Sequence, residues 1–151
     1  MEKCYFLLKT LDKRVKSAIS KSKIKYEERK AEMKASRGEI KIYDILKEAG
    51  LNFKEEYVFP DLVSHNNHPL RFDFAVFDDN GDIDFLIEYQ GEQHYKAKSK
   101  FGGIQGLRKQ QYNDMLKREY CKKHGYKLIA IPWLDEGRIS YDYIMTLAYG
   151  W

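Results

Sequence analysis

Asp73 and Glu88 are the residues whose type and spacing point most directly to chemistry. They fall in two segments rich in aromatic and branched residues, 71–77 and 83–90, and this composition predicts two strands. The Asn80-Gly81 pair between the segments favours a two-residue type I′ turn, and therefore a hairpin. Because such a turn fixes the register, we expect the two carboxylates to lie directly opposite each other, with Cβ atoms about 4.5–5.5 Å apart.

Facing carboxylates repel each other, so this pair needs a stabilising partner. A divalent cation would convert the repulsion into coordination, since Mg²⁺ prefers oxygen ligands. Two alternatives are that both carboxylates are solvated on an open sheet face, or that Arg71, which the register places opposite Gln90, neutralises them. On the other face the register predicts one continuous, buried apolar surface formed by Phe72, Phe74, Val76, Phe85, Ile87 and Tyr89.

The flanking segments are expected to hold this hairpin in an α/β sandwich around a mixed sheet. In chain order they read as a helix at 37–49 that opens on the capping box Ser36-Arg37-Gly38-Glu39, a strand at 53–59 that ends at Pro60, a helix at 105–123, an apolar strand at 127–133 of the kind buried on both faces, and a helix at 140–148.

Composition limits the class of protein. A chain of 151 residues with 43% hydrophobic residues suits one domain with a real core. No apolar run approaches the roughly 20 residues that span a bilayer, so we expect no membrane partner and a cytoplasmic location, in the host cell if the protein is phage-encoded. Cys4 and Cys121 lack the spacing of a disulfide framework or a zinc site, and are expected to be reduced.

Positive charge is concentrated near the N-terminus. Residues 1–38 contain twelve Lys and Arg against five Asp and Glu, although the formal charge of the whole chain is only +4. The pattern predicts a basic helical arm over residues 1–35 that could lie on a phosphate backbone, with Lys21, Lys23 and Lys25 as DNA contacts. The alternatives are a solvated Lys-rich helix face, packing on the main domain, or pairing with a second copy.

The acidic pair and the order of elements resemble the PD-(D/E)xK nucleases. Asp73 takes the place of the family's Asp, and Glu88-Tyr89-Gln90 that of its (D/E)-x-K. Further segments resemble the phage-encoded branch, which is related to EDxHD homing endonucleases and very-short-patch repair endonucleases. These segments are Ser36-Arg37-Gly38-Glu39, residues 87–95, Phe101-Gly102-Gly103, Gln111 with Asp114 and Lys117, residues 119–121 and residues 128–132.

This resemblance covers residues 36–133 and implies a nuclease domain at 36–151 with a restriction-endonuclease-like core, in which helices flank a mixed central sheet. It implies a metal-dependent endonuclease of double-stranded DNA, of homing, repair or recombination type, that uses Mg²⁺ with Mn²⁺ as a substitute. Asp73, Glu88 and the carbonyl of Tyr89 would hold the ion. Glu39 would reach it through water or bind a second ion; alternatively Glu39 is only the capping partner of Ser36.

The chain departs from the family pattern at Gln90, where Lys is usual. A neutral amide cannot oppose developing negative charge, so we expect Gln90 to orient the attacking water. The cationic role would pass to Lys96, Lys98, Lys117 or Arg71, and these four are also candidate DNA contacts.

His94 and one face of the helix at 105–123 complete the candidate site. The resemblance implies that His94 donates or accepts a proton or contacts phosphate, although a lone His in a polar turn is more often exposed. Gln111, Asp114 and Lys117 share a helix face, with Asp114 near the site and Gln111 on DNA, unless the face is merely solvated.

Two other functions stay open. One is a catalytically degenerate nucleic-acid-binding module on a nuclease fold, and the other is a structure-specific, junction-resolving nuclease. A homodimer is also open, because a single small domain usually makes one nick and cutting both strands would need two.

Overall fold

A computed structural model describes residues 36–150 of the chain. Residues 41–150 belong to one compact unit. The predicted arm, with Lys21, Lys23 and Lys25, lies outside the described residues, as does Cys4. In the described part, no helix combines the length and the apolar character needed to cross a membrane.

The described residues form an α/β fold whose elements follow the predicted order. They are α1 (Arg37–Glu48), β1 (Asn52–Val63), β2 (Pro69–Phe77), β3 (Ile83–Gln90), α2 (Gly103–His124), β4 (Leu128–Pro132) and α3 (Tyr141–Tyr149). The sheet is four-stranded, in the order β1-β2-β3-β4. It is mixed, because β1, β2 and β3 pair antiparallel whereas β4 pairs parallel with β3.

Helix α1 begins at the predicted capping box. The backbone N–H of Ser36 donates to Glu39 Oε2 at 3.0 Å, and the backbone N–H of Glu39 donates to Ser36 Oγ at 3.3 Å. These reciprocal bonds satisfy two amide groups at the start of the helix that otherwise have no partner. The capping role of Glu39 is therefore confirmed.

Strand β1 does not end at Pro60 as predicted, but continues to Val63. Proline has no N–H to donate, so it is tolerated in a strand whose N–H side faces away from the sheet. Among residues 36–150, β1 is the first strand in the sheet order and pairs with β2 alone, so it is an edge strand there and meets this condition.

The hairpin of β2 and β3 has the predicted register, although its turn differs from the prediction. Phe74 pairs with Ile87, and Val76 pairs with Phe85. The type I′ turn is wrong, because only Gly81 has a positive φ, of 84°, and Asn80 does not. The N–H of Gly81 donates to the Asp78 carbonyl at 3.0 Å, and this closes a three-residue loop with Gly81 in the left-handed position.

A β-bulge explains why the register survives the longer loop. Beside the loop Phe77 pairs with Ile83, whereas the next pair is Val76 with Phe85, so Asp84 is an extra residue in β3. The loop moves the register by one position and the bulge moves it back. A two-residue turn and this combination therefore bring the same residues face to face.

The sheet separates two apolar clusters. Helices α1 and α3 pack on one face, where the buried core contains Ile42, Leu46, Phe74, Val76, Phe85, Ile87, Tyr89, Ile129, Ile131, Ile139, Ile144, Met145 and Ala148. Helix α2 packs on the other face through Cys121, against Phe59, Leu62, Leu70, Phe72, Ala75 and Leu86.

Phe72 is not part of the predicted continuous face with Phe74, but packs in the α2 cluster. The alternation of β2 therefore inverts at Asp73. The neighbouring strand β1 breaks at the same level, since Glu56 has a φ of 48° and lies between the residues paired with Phe74 and Phe72. A left-handed residue interrupts the extended geometry on which side-chain alternation depends. Asp73 thus lies at a bend shared by two strands.

Strand β4 is not buried on both faces as predicted. Ile129 and Ile131 are buried, but Ala130 between them is exposed. β4 is the second edge of the sheet, and its small residue leaves the α2 face open at this position.

Candidate functional site

The bend in β2 places the Asp73 carboxylate against the backbone of β3. Asp73 Oδ2 accepts a hydrogen bond of 2.6 Å from the backbone N–H of Tyr89. Glu88, the residue before Tyr89, is buried with its side chain 7% exposed. The Asp73 charge acts on Glu88, so the two carboxylates lie near each other. The observed ladder ends at the pair of Phe74 with Ile87 and does not extend to the predicted pair of Asp73 with Glu88.

Lys117 of α2 pairs with the buried Glu88. Its Nζ lies 2.7 Å from Glu88 Oε1, and its side chain is only 10% exposed. The same Nζ lies 5.5 Å from the ring centroid of Phe72. The inversion of β2 at Asp73 is what brings this aromatic ring to the α2 face, where it contributes a cation–π contact.

The environment of Glu88 favours its uncharged form. Burial raises the pKa of Glu88 to about 8, the nearby Asp73 charge adds to the rise, and Lys117 opposes it. Burial away from water is the largest cause, since a carboxylate loses its hydration there. A carboxyl group with this pKa would take up a divalent cation with release of a proton.

This pKa predicts a pH-dependent stability in the absence of divalent cations. The folded carboxyl keeps its proton to a higher pH than the unfolded one, whose ordinary pKa is 4.5. Its stabilising contribution is complete below pH 4.5 and is lost as the pH rises through about 8. Relative to Glu88→Gln, the wild type should therefore lose free energy of unfolding between about pH 5 and about pH 8.5 in urea titrations with EDTA. Parallel pH profiles for the two proteins would contradict the assignment.

His94 belongs to a second, partly buried pair, with Asp114 of α2. His94 Nδ1 donates to Asp114 Oδ2 at 2.8 Å, and both side chains are 9% exposed, so His94 is not the exposed residue of the alternative interpretation. Burial raises the pKa of Asp114. The hydrogen bonds from His94 and Gln110 and the charges of His94 and Lys117 together lower it by more, so the net shift of the pKa is downward. Asp114 therefore stays ionised and orients the imidazole.

Gln110 is a site residue that the sequence prediction missed. Its Nε2 donates to Asp114 Oδ1 at 3.2 Å. The separation of four residues on one helix was a usable signal, whereas the predicted neighbour, Gln111, is exposed. Asp114 and Lys117 are each 8% exposed. The alternative that this helix face is merely solvated is therefore wrong for these two residues.

Gln90 lies at the end of β3, and its amide is held by an aromatic residue. The Tyr95 hydroxyl donates to Gln90 Oε1 at 2.5 Å. This bond uses the carbonyl oxygen of the amide and leaves the two N–H donors of its NH₂ group for other partners. Gln90 therefore keeps donors for a ligand but supplies no positive charge.

The other cations proposed to replace the missing Lys do not reach Glu88. Arg71 pairs with Glu56 at 2.8 Å with its side chain 61% exposed, so it does not neutralise the carboxylate pair. Lys96 and Lys98 both pair with Glu92. Of the four candidates, Lys117 is the one in contact with the paired carboxylates.

The donor set suits a cation that needs few protein ligands. Among residues 36–150, no group of three or more His, Cys, Asp and Glu side chains is arranged to hold a metal ion. A cation would depend on Asp73, Glu88 and the carbonyl of Tyr89, with substrate and water oxygens completing the coordination. Mg²⁺ is commonly bound in this way, through one or two carboxylates and phosphate oxygens.

Short segments of the chain are similar to two viral proteins. A 49-residue segment, 31% of this chain, is 55% identical to uncharacterized protein 094L of Frog virus 3 and covers 32% of that protein. A 58-residue segment, 38% of this chain, is 38% identical to uncharacterized protein 307L of Invertebrate iridescent virus 6 and covers 29% of it. The chain therefore matches less than a third of the length of either relative. No protein-family model and no solved structure matches it.

Proposed function

We propose that this chain is a divalent-metal-dependent endonuclease that hydrolyses phosphodiester bonds in DNA, built on a restriction-endonuclease-like core. The observation that carries the proposal is the buried Glu88, which lies beside Asp73 and contacts Lys117 at 2.7 Å. Two acidic groups can hold a divalent cation that polarises a phosphoryl oxygen, and a neighbouring ammonium can stabilise the charge that develops there.

Asp73, Glu88 and the Tyr89 carbonyl hold the cation in this proposal. When bound, Mg²⁺ supplies a Lewis acid for the phosphate oxygens and makes a water molecule more acidic. The hydrogen bond from the Tyr89 N–H fixes the Asp73 carboxylate and also ties it to the strand that carries Glu88. The ligands are thus set by rigid strands rather than by loops.

Lys117 takes the part that the family gives to the Lys of its motif. It reaches Glu88 from helix α2 instead of from β3, where Gln90 stands. With a cation on the carboxylates, its ammonium becomes available to the negative charge that develops on the phosphate. A fixed cation in a buried site stabilises developing negative charge more strongly than a cation in water does.

In the proposed reaction His94 transfers a proton and Gln90 orients the attacking water. The bond to Asp114 uses Nδ1 of His94, so Nε2 is the nitrogen that can give a proton to the leaving oxygen or take one from water. Gln90, held by Tyr95, can orient the attacking water through its NH₂ group.

Incubation of supercoiled plasmid with the full-length protein and Mg²⁺ tests this function. We expect nicked circles in Mg²⁺ and none when EDTA is added from the start, because cleavage requires the cation held by the carboxylates. Binding of the plasmid without nicking in Mg²⁺ or Mn²⁺ would favour a nucleic-acid-binding module instead. Cleavage of a four-way junction but not of plasmid would favour a junction-resolving enzyme.

The proposal includes double-stranded DNA as the substrate and the host cytoplasm as the place of action. Animal viruses encode the two relatives described above. Cutting both strands would need a homodimer or two binding events, since the site has one pair of carboxylates.

Glu39 should not be needed for cleavage. Its carboxylate accepts from the backbone N–H of Ser36, and Gln can fill the same position of a capping box. Glu39→Gln should therefore keep the cleavage rate within about twofold and the free energy of unfolding within about 0.5 kcal/mol. Ser36→Ala is the control and should cost about 0.5–2 kcal/mol in urea titration. A tenfold slower Glu39→Gln with unchanged stability would instead place Glu39 at the metal.

A further inference from the structure

A cavity of about 240 Å³ extends the candidate site toward the open edge of the sheet. On the side of the candidate site, the cavity is lined by Glu88, Gln90, Asp114 and Lys117. Its remaining lining comes from α2, β4 and the residue between them, namely Arg118, Cys121, Lys122, Tyr126, Leu128 and Ala130.

The strand register fixes where the cavity lies relative to the carboxylates. Glu88 pairs with Ala130 in the parallel ladder of β3 and β4, and Asp73 lies on β2, on the other side of β3. Adjacent strands are about 4.8 Å apart. Ala130 in the floor of the cavity is therefore about one strand spacing, roughly 4.8 Å, from Glu88. A single nucleotide chain can reach both the floor and the proposed cleavage centre.

The lining combines an apolar floor with two cationic side chains of α2. Leu128, Ala130 and Cys121 contribute apolar surface. Arg118 and Lys122 are exposed and lie four residues apart on α2, so they share a helix face. In the part of the chain that the structure describes, neither forms an ion pair with a carboxylate. An anion with an attached apolar group matches this lining.

Tyr126 adds an aromatic wall that is held in place. Its ring stacks on Phe59 at 5.1 Å between centroids, and Phe59 is buried. Flat aromatic side chains bind nucleobases by stacking, with little dependence on base identity.

We propose that this cavity receives one unpaired nucleotide of the strand being cut, with its phosphate on Arg118 and Lys122 and its base over Ala130 beside Tyr126. The inference rests on the proposed function and narrows its substrate. A base can enter a recess in a protein surface only after it leaves its stack and its partner. That costs a few kcal/mol, and the cost is least for a base that is already unpaired.

Cleavage of matched DNA substrates tests the preference. In Mg²⁺, we expect a duplex with a one-nucleotide bulge, and a single strand, to be cut at least tenfold faster than the fully paired duplex of the same sequence. Ala130→Phe, which fills the floor, should abolish the preference, as should Arg118→Ala/Lys122→Ala. The control Lys109→Ala/Lys123→Ala removes the same charge from α2 outside the cavity and should keep it. Equal cleavage of all substrates by the wild type would overturn the inference and leave the nuclease function standing.

Nucleotide binding provides a readout that does not need cleavage. In saturation-transfer NMR with the full chain and EDTA, base protons of dAMP should receive magnetisation from the wild type, but not from Ala130→Phe or Arg118→Ala/Lys122→Ala. Displacement of dAMP should require at least tenfold more inorganic phosphate than dAMP itself. If phosphate competes equally, the cavity is an anion site only and the inference fails. If dAMP binds but no DNA is cut, the nuclease proposal fails instead.

Discussion

Asp73→Asn and Glu88→Gln should each lower the rate of plasmid nicking in Mg²⁺ by about 10²–10³-fold or more, which is the scale for losing one stabilising group at a reacting centre. An amide oxygen binds Mg²⁺ more weakly than a carboxylate, because it lacks the negative charge. Both substitutions preserve the shape of the side chain. In Asp73→Asn the amide oxygen can still accept the hydrogen bond that the Tyr89 N–H gives to the carboxylate of the wild type.

These variants should remain folded and should still bind DNA. The pKa of about 8 means that Glu88 is already largely uncharged at neutral pH without a cation, so a neutral amide replaces a neutral acid. Asp79→Asn is the matched control, because Asp79 is an exposed carboxylate in the same hairpin. Nicking by Asp73→Asn at the rate of Asp79→Asn would refute the assignment of Asp73 as a ligand. Gel-shift binding measured in parallel separates lost catalysis from lost affinity.

Lys117→Met should lower the single-turnover cleavage rate by about 10²-fold, with a smaller effect on DNA affinity. The ammonium contacts Glu88 and is largely buried, so under the proposed function its loss would remove positive charge at the reacting phosphate. Breaking a buried ion pair usually costs about 3–5 kcal/mol. We expect less here, because without a cation Glu88 is already largely protonated at neutral pH, so loss of Lys117 leaves little uncompensated charge.

Lys117→Arg and Lys109→Met distinguish a specific role from a general loss of charge. Arginine keeps the charge but replaces a compact ammonium by a planar fork, so partial activity is expected. Lys109 is exposed on the same helix, and its removal should leave the cleavage rate unchanged. Equal losses for Lys109→Met and Lys117→Met would show that only overall charge matters.

The sequence predicted the pairing across the hairpin for a partly wrong reason. Asn80-Gly81 is a strong turn signal, but the loop has three residues and a compensating bulge at Asp84. Asp78 Oδ1 accepts hydrogen bonds from the N–H groups of Asn80 and Asp82 in this loop. The hydrophobic pattern dominated, because a register shifted by one position would have exposed Phe85 and Ile87. Element order and the helix bounds followed for the same reason, since periodic apolar residues determine which faces are buried.

The inversion of β2 at Asp73 could not be predicted from the alternation of its residues. Phe72 and Phe74 are identical in type and two positions apart, so a period of two places them on one face. It coincides with an irregularity in β1, where Glu56 adopts a left-handed conformation although neither Gly nor Asn stands there. Contacts between distant segments were equally hidden, and Lys117 could be named only as one of four candidate cations.

Titration with Mn²⁺, followed by electron paramagnetic resonance of the free ion, tests the central claim most directly. The claim is that Asp73 and Glu88 together form a divalent-cation site. The wild type should bind one Mn²⁺ that Mg²⁺ displaces, more tightly at pH 8 than at pH 6 because Glu88 must lose its proton. The double variant Asp73→Asn/Glu88→Gln should lose this site. Equal Mn²⁺ binding by the double variant and the wild type would contradict the claim.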